Sequence, residues 1–193
     1  MLSAVEVGTR IFFFLILSVF FLSVSTKKTI LVSRKSKDKT LAMRLLEGKK
    51  IAYTVHRYDA DVFVSAVEVA AAIGMPPQQV FKTLVTEPDR GKPILAVLPA
   101  AAELDLKALA KAAGVKKVRM ASQADAERWS GLQKGGISAL ALVNKGFRVY
   151  LDGGAQDFDQ IAMSAGERGV QVMLAPGDFV KLTRAKVAAI AKS

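Results

Sequence analysis

The sequence contains no cysteine and a single histidine, His56. The first absence removes thiol nucleophiles, disulfides and zinc–thiolate clusters, and the second means that any Ser-His-Asp triad would have to be built on His56. No serine stands in a Gly-x-Ser-x-Gly elbow. Gly131 to Ser138 has the glycine spacing of a phosphate loop, but Ile137 occupies the position that must be lysine, so a Walker-type nucleotide site is excluded. What remains is a glycine-rich turn, read either as a plain tight loop or as a cradle of backbone N–H groups for an anion or oxyanion. No residue cluster calls for a metal or an organic cofactor.

Negative charge is also scarce: 28 Lys and Arg stand against 17 Asp and Glu, a formal net charge of +11. Such a balance suggests an acidic partner, either nucleic acid or an anionic membrane surface. Residues 1–38 carry six of the cations against Glu6 and Asp38, so the rest of the chain is basic in its own right, without an obvious basic block.

The one long apolar run is Ile11 to Val24. As a helix it would span roughly 21 Å, short of the ~30 Å hydrocarbon core of a bilayer. Three readings stay open for 1–38: an N-terminal anchor with membrane contact through 11–24, a signal-like segment, or an extension preceding a later start near Met43. Lysines and arginines follow the run, which by the positive-inside rule leaves the downstream domain in the cytoplasm. The expected division is therefore 1–38 as apolar segment and basic linker, and 39–193 as one α/β domain without internal repeat.

Along that domain the helix signals are local. Thr40 opens TLAMRLLEGK with Leu41, Leu45 and Leu46 on one side; Ser65 and Glu68 form a capping box; Asp105 caps a helix stopped by Gly114; Ser122 caps one stopped by Gly131. From Pro176 the pattern is helical, with Thr183 predicted to cap RAKVAAIAK at the C-terminus. Strands are predicted over Ile51 to Tyr58, with His56 and Tyr58 on one face, and over Val80 to Thr86, Pro93 to Leu98, Val115 to Met120, Phe147 to Leu151 and Val170 to Leu174. The turn chemistry of Glu87 to Gly91 makes the second and third of these an antiparallel pair, which argues for a mixed sheet. Trp129 reads as a packing residue.

Val80 to Thr86 is the stretch around which the chain is organised, because alternation places Lys82 on the same face as Val80 and Leu84. A lysine so flanked either snorkels to a sheet edge or projects its ammonium into a cleft, where it holds a negative or developing charge.

Lys82-Thr83-Leu84, then Leu104-Asp105-Leu106-Lys107, then Gly135-Gly136-Ile137-Ser138, then Ser164-Ala165-Gly166-Glu167-Arg168-Gly169 resemble, in this order, the YbaK-type aminoacyl-tRNA deacylases. This family includes the editing domain inserted in bacterial prolyl-tRNA synthetases. The likeness runs from about Thr40 to the C-terminus and implies a single domain with a curled mixed β-sheet flanked by helices. It also implies hydrolysis of mischarged tRNA, most often Cys-tRNA(Pro) or Cys-tRNA(Cys), by substrate-assisted ester cleavage. Alternatives are an Ala-tRNA(Pro) deacylase that uses water, or a noncatalytic module on the same fold that binds tRNA or a nucleotide. The implied partners are the 3′ acyl-adenosine end of tRNA and, transiently, prolyl-tRNA synthetase. Lys82 matches the family's essential lysine. Tyr58, Thr83, Gly135, Gly136, Ile137, Ser138 and Ser164 match positions that bind substrate, and Gly166 and Arg168 belong to the second glycine loop. Ala139 stands where a proline commonly follows Gly-Gly-Ile-Ser, and Gln171 where some members carry an acidic residue.

Overall fold

The structure, a computed structural model, describes residues 39–63 and 65–192; Ile11 to Val24 lies outside them. Among the described residues no helix is long and apolar enough to cross a membrane.

The caps form as their local chemistry dictates. Thr40 accepts from the Met43 N–H at the start of α1 (Leu41–Gly48), and Ser65 and Glu68 exchange bonds at α2 (Ala66–Ala72). Asp105 caps α3 (Leu106–Ala113) and Ser122 caps α4 (Gln123–Ser130), each helix ending in a left-handed glycine, Gly114 and Gly131. The apolar stripe of α1 differs from expectation. Ala42, Met43 and Leu46 are buried and Leu41 is 61% exposed, so a small residue faces the core and the helix can approach it closely.

Among the described residues eight strands form one mixed sheet: β1 (Thr54–Arg57), β2 (Val80–Pro88), β3 (Ile94–Pro99), β4 (Val118–Met120), β5 (Arg148–Asp152), β6 (Ile161–Ser164), β7 (Val170–Leu174) and β8 (Lys186–Ala188). Their order is β1-β7-β6-β2-β3-β5-β8, with β4 paired to β2 outside this path. β2 and β3 are antiparallel, whereas β3, β5 and β8 run parallel. β3 is buried on both faces: Leu95 and Val97 join Phe81, Val85, Leu151 and Val172, while Ile94, Ala96 and Leu98 join Leu109, Tyr150 and Ile190.

The C-terminus corrects the sequence expectation. Thr183 ends α5 (Pro176–Thr183) rather than capping a further helix, and its hydroxyl donates back to the Phe179 carbonyl. Arg184 turns left-handed at φ 56°, and the chain continues as β8 along β5. The buried carboxylate of Asp152 accepts from the N–H groups of Gly154, Ile190 and Ala191, which fastens the tail. Helix propensity differs among residues by only a few tenths of a kcal/mol each, so strand pairing, buried Ile190 and this carboxylate outweigh it.

Candidate active site

β2 has β3 along one side, but on the other side it is shared between two neighbours. β6 pairs only with Val80 and Phe81, and β4 only with Thr86 to Pro88. The edge of β2 is therefore open around Lys82 to Leu84. The carbonyls of Gln79 and Val85 point to this open side, accepting from Ala162 and Ala121, whereas the Val80 carbonyl points toward the β3 side, accepting from Ala100. Backbone direction alternates along a strand, so the N–H and C=O of Thr83 also face the opening. An unpaired strand edge inside a cleft offers a donor and an acceptor at fixed positions.

A cavity of about 340 Å³ occupies this opening. Six of the sequence-predicted residues line it: Tyr58, Lys82, Thr83, Gly135, Ile137 and Ser164. Val69, Phe81, Val85 and Ala126 supply apolar wall, giving the mixture of apolar surface and few polar groups typical of a small-molecule site.

Lys82 is half-buried, and its ammonium donates to the Ala100 carbonyl at 2.8 Å. Of its three N–H donors this is the one bond made among the described residues, which leaves donors for a ligand. Burial holds its pKa below the usual lysine range, opposed by attraction to Glu103. A cation that has lost part of its water in this way is well placed to stabilise an anion.

Four predicted residues do not line the cavity. Ser138 is buried, and its hydroxyl accepts from the Ala141 N–H, 3.5 Å, within its own turn. Gly136 is packed against the second glycine loop: a Cβ on it would meet Arg168 N at 3.2 Å. Gly166, at φ 93°, lies so close that its Cβ would stand 2.8 Å from that of Ala141. Arg168 turns away and donates to the Ala60 carbonyl at 2.6 Å, while the Tyr58 N–H bonds Gly169 O at 3.0 Å. These residues lock the two loops to each other and to the end of β1. The expected cradle is accordingly reduced, because the Gly136 N–H is taken by Gln133 O and that of Gly166 by the Ser164 hydroxyl. The N–H groups of Gly135 and Ile137 have no acceptor among the described residues.

Sequence reasoning missed the contribution of α2 and α4. Glu127 accepts from the Lys134 N–H at 2.9 Å and from Gln123 Nε2 at 3.2 Å, tying α4 to the loop, and all three line the cavity. No sequence signal marked them. Gln171, noticed only as a departure, also lines it, and its buried Oε1 has no partner among the described residues. It lies between Ser164 on β6 and His56 on β1 in register, and His56 Nε2 is likewise buried without a partner among the described residues.

The profile of the aminoacyl-tRNA editing domain matches residues 62–182. The chain belongs to this family. A member from Enterococcus faecalis, EbsC, by name a proposed Cys-tRNA(Pro)/Cys-tRNA(Cys) deacylase, is 40% identical over 161 residues, 83% of this chain and 98% of its own. Among solved structures, a proposed trans-editing enzyme for prolyl-tRNA synthetase superposes with a TM-score of 0.67 at 22% identity, over 83% of this chain and 100% of that one. The hypothetical protein APE2540 gives 0.71 at 19% identity, over 79% and 99%. At those identities the two structures speak for the fold of this editing domain. The mixed sheet with flanking helices expected from the resemblance is the fold it has.

Proposed function

We propose that this protein is a trans-editing hydrolase that removes a wrong amino acid from the 3′ end of a tRNA, with Cys-tRNA(Pro) its first substrate and Cys-tRNA(Cys) its second. The observation that carries this reading is the half-buried Lys82 ammonium beside an open strand edge, in a cavity without a histidine lining it. An activated ester needs no strong protein nucleophile if the site positions it, excludes water and stabilises charge on the carbonyl oxygen. Lys82 holds the terminal phosphate or ribose. The N–H groups of Gly135 and Ile137 face the developing oxyanion. The thiol of the cysteinyl ester attacks its own carbonyl carbon, the bond to the ribose oxygen breaks, and that oxygen takes up the proton the thiol has lost.

The test is a panel of cysteinyl, alanyl, seryl and prolyl esters on proline tRNA. Cysteinyl ester should be cleared at least about tenfold faster than seryl ester, because the thiol ionises more readily and is the better nucleophile. Equal rates on the two would replace the thiol by water and favour the alanyl ester as substrate. Protection of every ester would make the chain a binding module.

The reading extends to setting and boundaries. The protein works in the cytoplasm, in transient contact with prolyl-tRNA synthetase, which sharpens the choice of tRNA. Residues 39–193 carry the activity, so a chain beginning at Lys39 should keep wild-type turnover. A loss of turnover in that shortened chain, with its melting temperature unchanged, would move the boundary or give 1–38 a part in the site.

A further inference from the structure

The cations of the folded part form no block in sequence, but the sheet gathers them. β3, β5 and β8 are parallel, so their first residues lie at one end of the sheet, where antiparallel β2 finishes. Arg148 begins β5, Arg184 precedes β8 and Lys186 begins it. Together with Lys49 and Lys181 they line a cavity of about 690 Å³ whose walls include no carboxylate residue. Lys49, Lys181, Arg184 and Lys186 are all exposed. The concavity does not close on itself. Two open hollows adjoin it through Gly146, and both add Arg90 and Lys92 from the turn between β2 and β3; one of them is also bordered by Asp89 and by Glu87, which is paired with Arg119.

An open, elongated groove with spaced cations suits a phosphate chain better than a single small anion, which would be held by convergent donors in an enclosed site. The editing cavity is lined by the first half of β2, and the hollows that adjoin the groove by the turn that follows the same strand. From Lys82, β2 runs six residues on to Pro88, roughly 20 Å of strand, and the turn beyond it carries Arg90. α4 borders both places, with Gln123 and Glu127 on the editing cavity and Trp129 on the adjoining hollow. The single-stranded 3′ end of a tRNA leads within a few nucleotides into a double-helical stem. We infer that the basic end of the sheet docks the phosphates of that stem while the acylated terminus occupies the cavity beside Lys82. This rests on the function proposed above, and names the surface that recognises the body of the substrate.

The experiment measures binding of uncharged proline tRNA across a salt series, which requires no turnover. K181E/K186E should weaken tRNA binding at least about tenfold and make the slope of log K against log salt shallower by about two, as two phosphate contacts are lost. R90E/K92E, at the other end of the groove, should do the same. K107E/K111E, an equal charge change on exposed residues of α3, should shift affinity by less than about threefold. A CCA trinucleotide, too short to reach the groove, should bind all three variants like wild type. Equal weakening by the α3 pair would reduce the effect to net charge, and unchanged tRNA binding in both groove variants would remove the surface; either overturns the inference. So would competition at the groove by free ATP that leaves tRNA affinity untouched. If tRNA binding follows the groove lysines but no ester is cleared, the surface stands and the proposed activity falls. If esters are cleared and the groove is inert, the surface alone falls.

Discussion

Replacing Lys82 by alanine is expected to slow deacylation of cysteinyl-tRNA about a hundredfold or more, the equivalent of roughly 3 kcal/mol of transition-state stabilisation. The ammonium is half-buried and makes one bond among the described residues, to the Ala100 carbonyl, so two of its three donors remain for a ligand in the cavity that Lys82 lines. Losing it removes an electrostatic partner that water cannot replace with equal pre-organisation. The fold should persist, because Lys82 is no part of the packed core clusters and the Ala100 N–H remains bonded to Val80 O. The pH dependence carries a sign. Burial lowers the Lys82 pKa, so activity that needs the ammonium should fall as pH rises, and should do so below the pH at which an ordinary lysine deprotonates. Ionisation of the substrate thiol acts in the other direction, and the profile on cysteinyl ester should be bell-shaped. Stability moves oppositely to the lysine's contribution to rate: the unfolded chain holds that proton more readily, so the native state gains as pH rises from the depressed value toward the unfolded one. Single-turnover rates with Lys82→Ala and Lys82→Arg across pH provide the check. Near-normal turnover by Lys82→Ala would remove this side chain from the mechanism.

Gly166→Ala should destabilise the protein by about 3 kcal/mol and depress turnover as well. Two separate costs meet at this position. Its φ of 93° is a conformation that L side chains rarely adopt, and the new Cβ would stand 2.8 Å from the Ala141 Cβ. Ala141 is a short side chain in a well-packed turn, so relief requires backbone movement. That movement would pull on Ser164, which bonds the Gly166 N–H at 3.3 Å and lines the editing cavity. Pairing Gly166→Ala with Ala141→Gly separates the costs, since the second change removes the clash and leaves the backbone strain. The double variant should recover part of the lost denaturation midpoint, not all of it. Full recovery would assign the whole cost to contact, and no recovery would assign it to φ.

How much of this could be read from the chain alone depended on the range of the interaction. Asp105 and Ser122 cap their helices, and Gly114 and Gly131 end them, because a cap is decided within three or four residues. Alternation along Val80 to Thr86 likewise put Lys82 opposite Phe81 and Val85, and those two are in the main core. RAKVAAIAK was misread for the complementary reason. Its alanines favour a helix locally, whereas the bonds from Ile190 and Ala191 to Asp152 span 38 and 39 residues of sequence.

The candidate site divides in the same way. The sequence by itself determined which residue types were available: a lysine in a strand, two glycine loops, a single histidine and no thiol. That inventory already pointed to charge stabilisation rather than a protein nucleophile. Only the tertiary structure decided which of those residues meet. The opening at Lys82 exists because β6 and β4, which begin 81 and 38 residues after β2, pair with different parts of it and leave Thr83 between them. Ser138 and Arg168 carry the same family motifs as Ile137 and Ser164 but turn inward or away, because packing of one loop against the other fixes their direction. The basic groove was wholly out of reach of the sequence, since parallel pairing of distant strands is what brings Arg148 at the start of β5 and Lys186 at the start of β8, in register with Tyr150, to one end of the sheet.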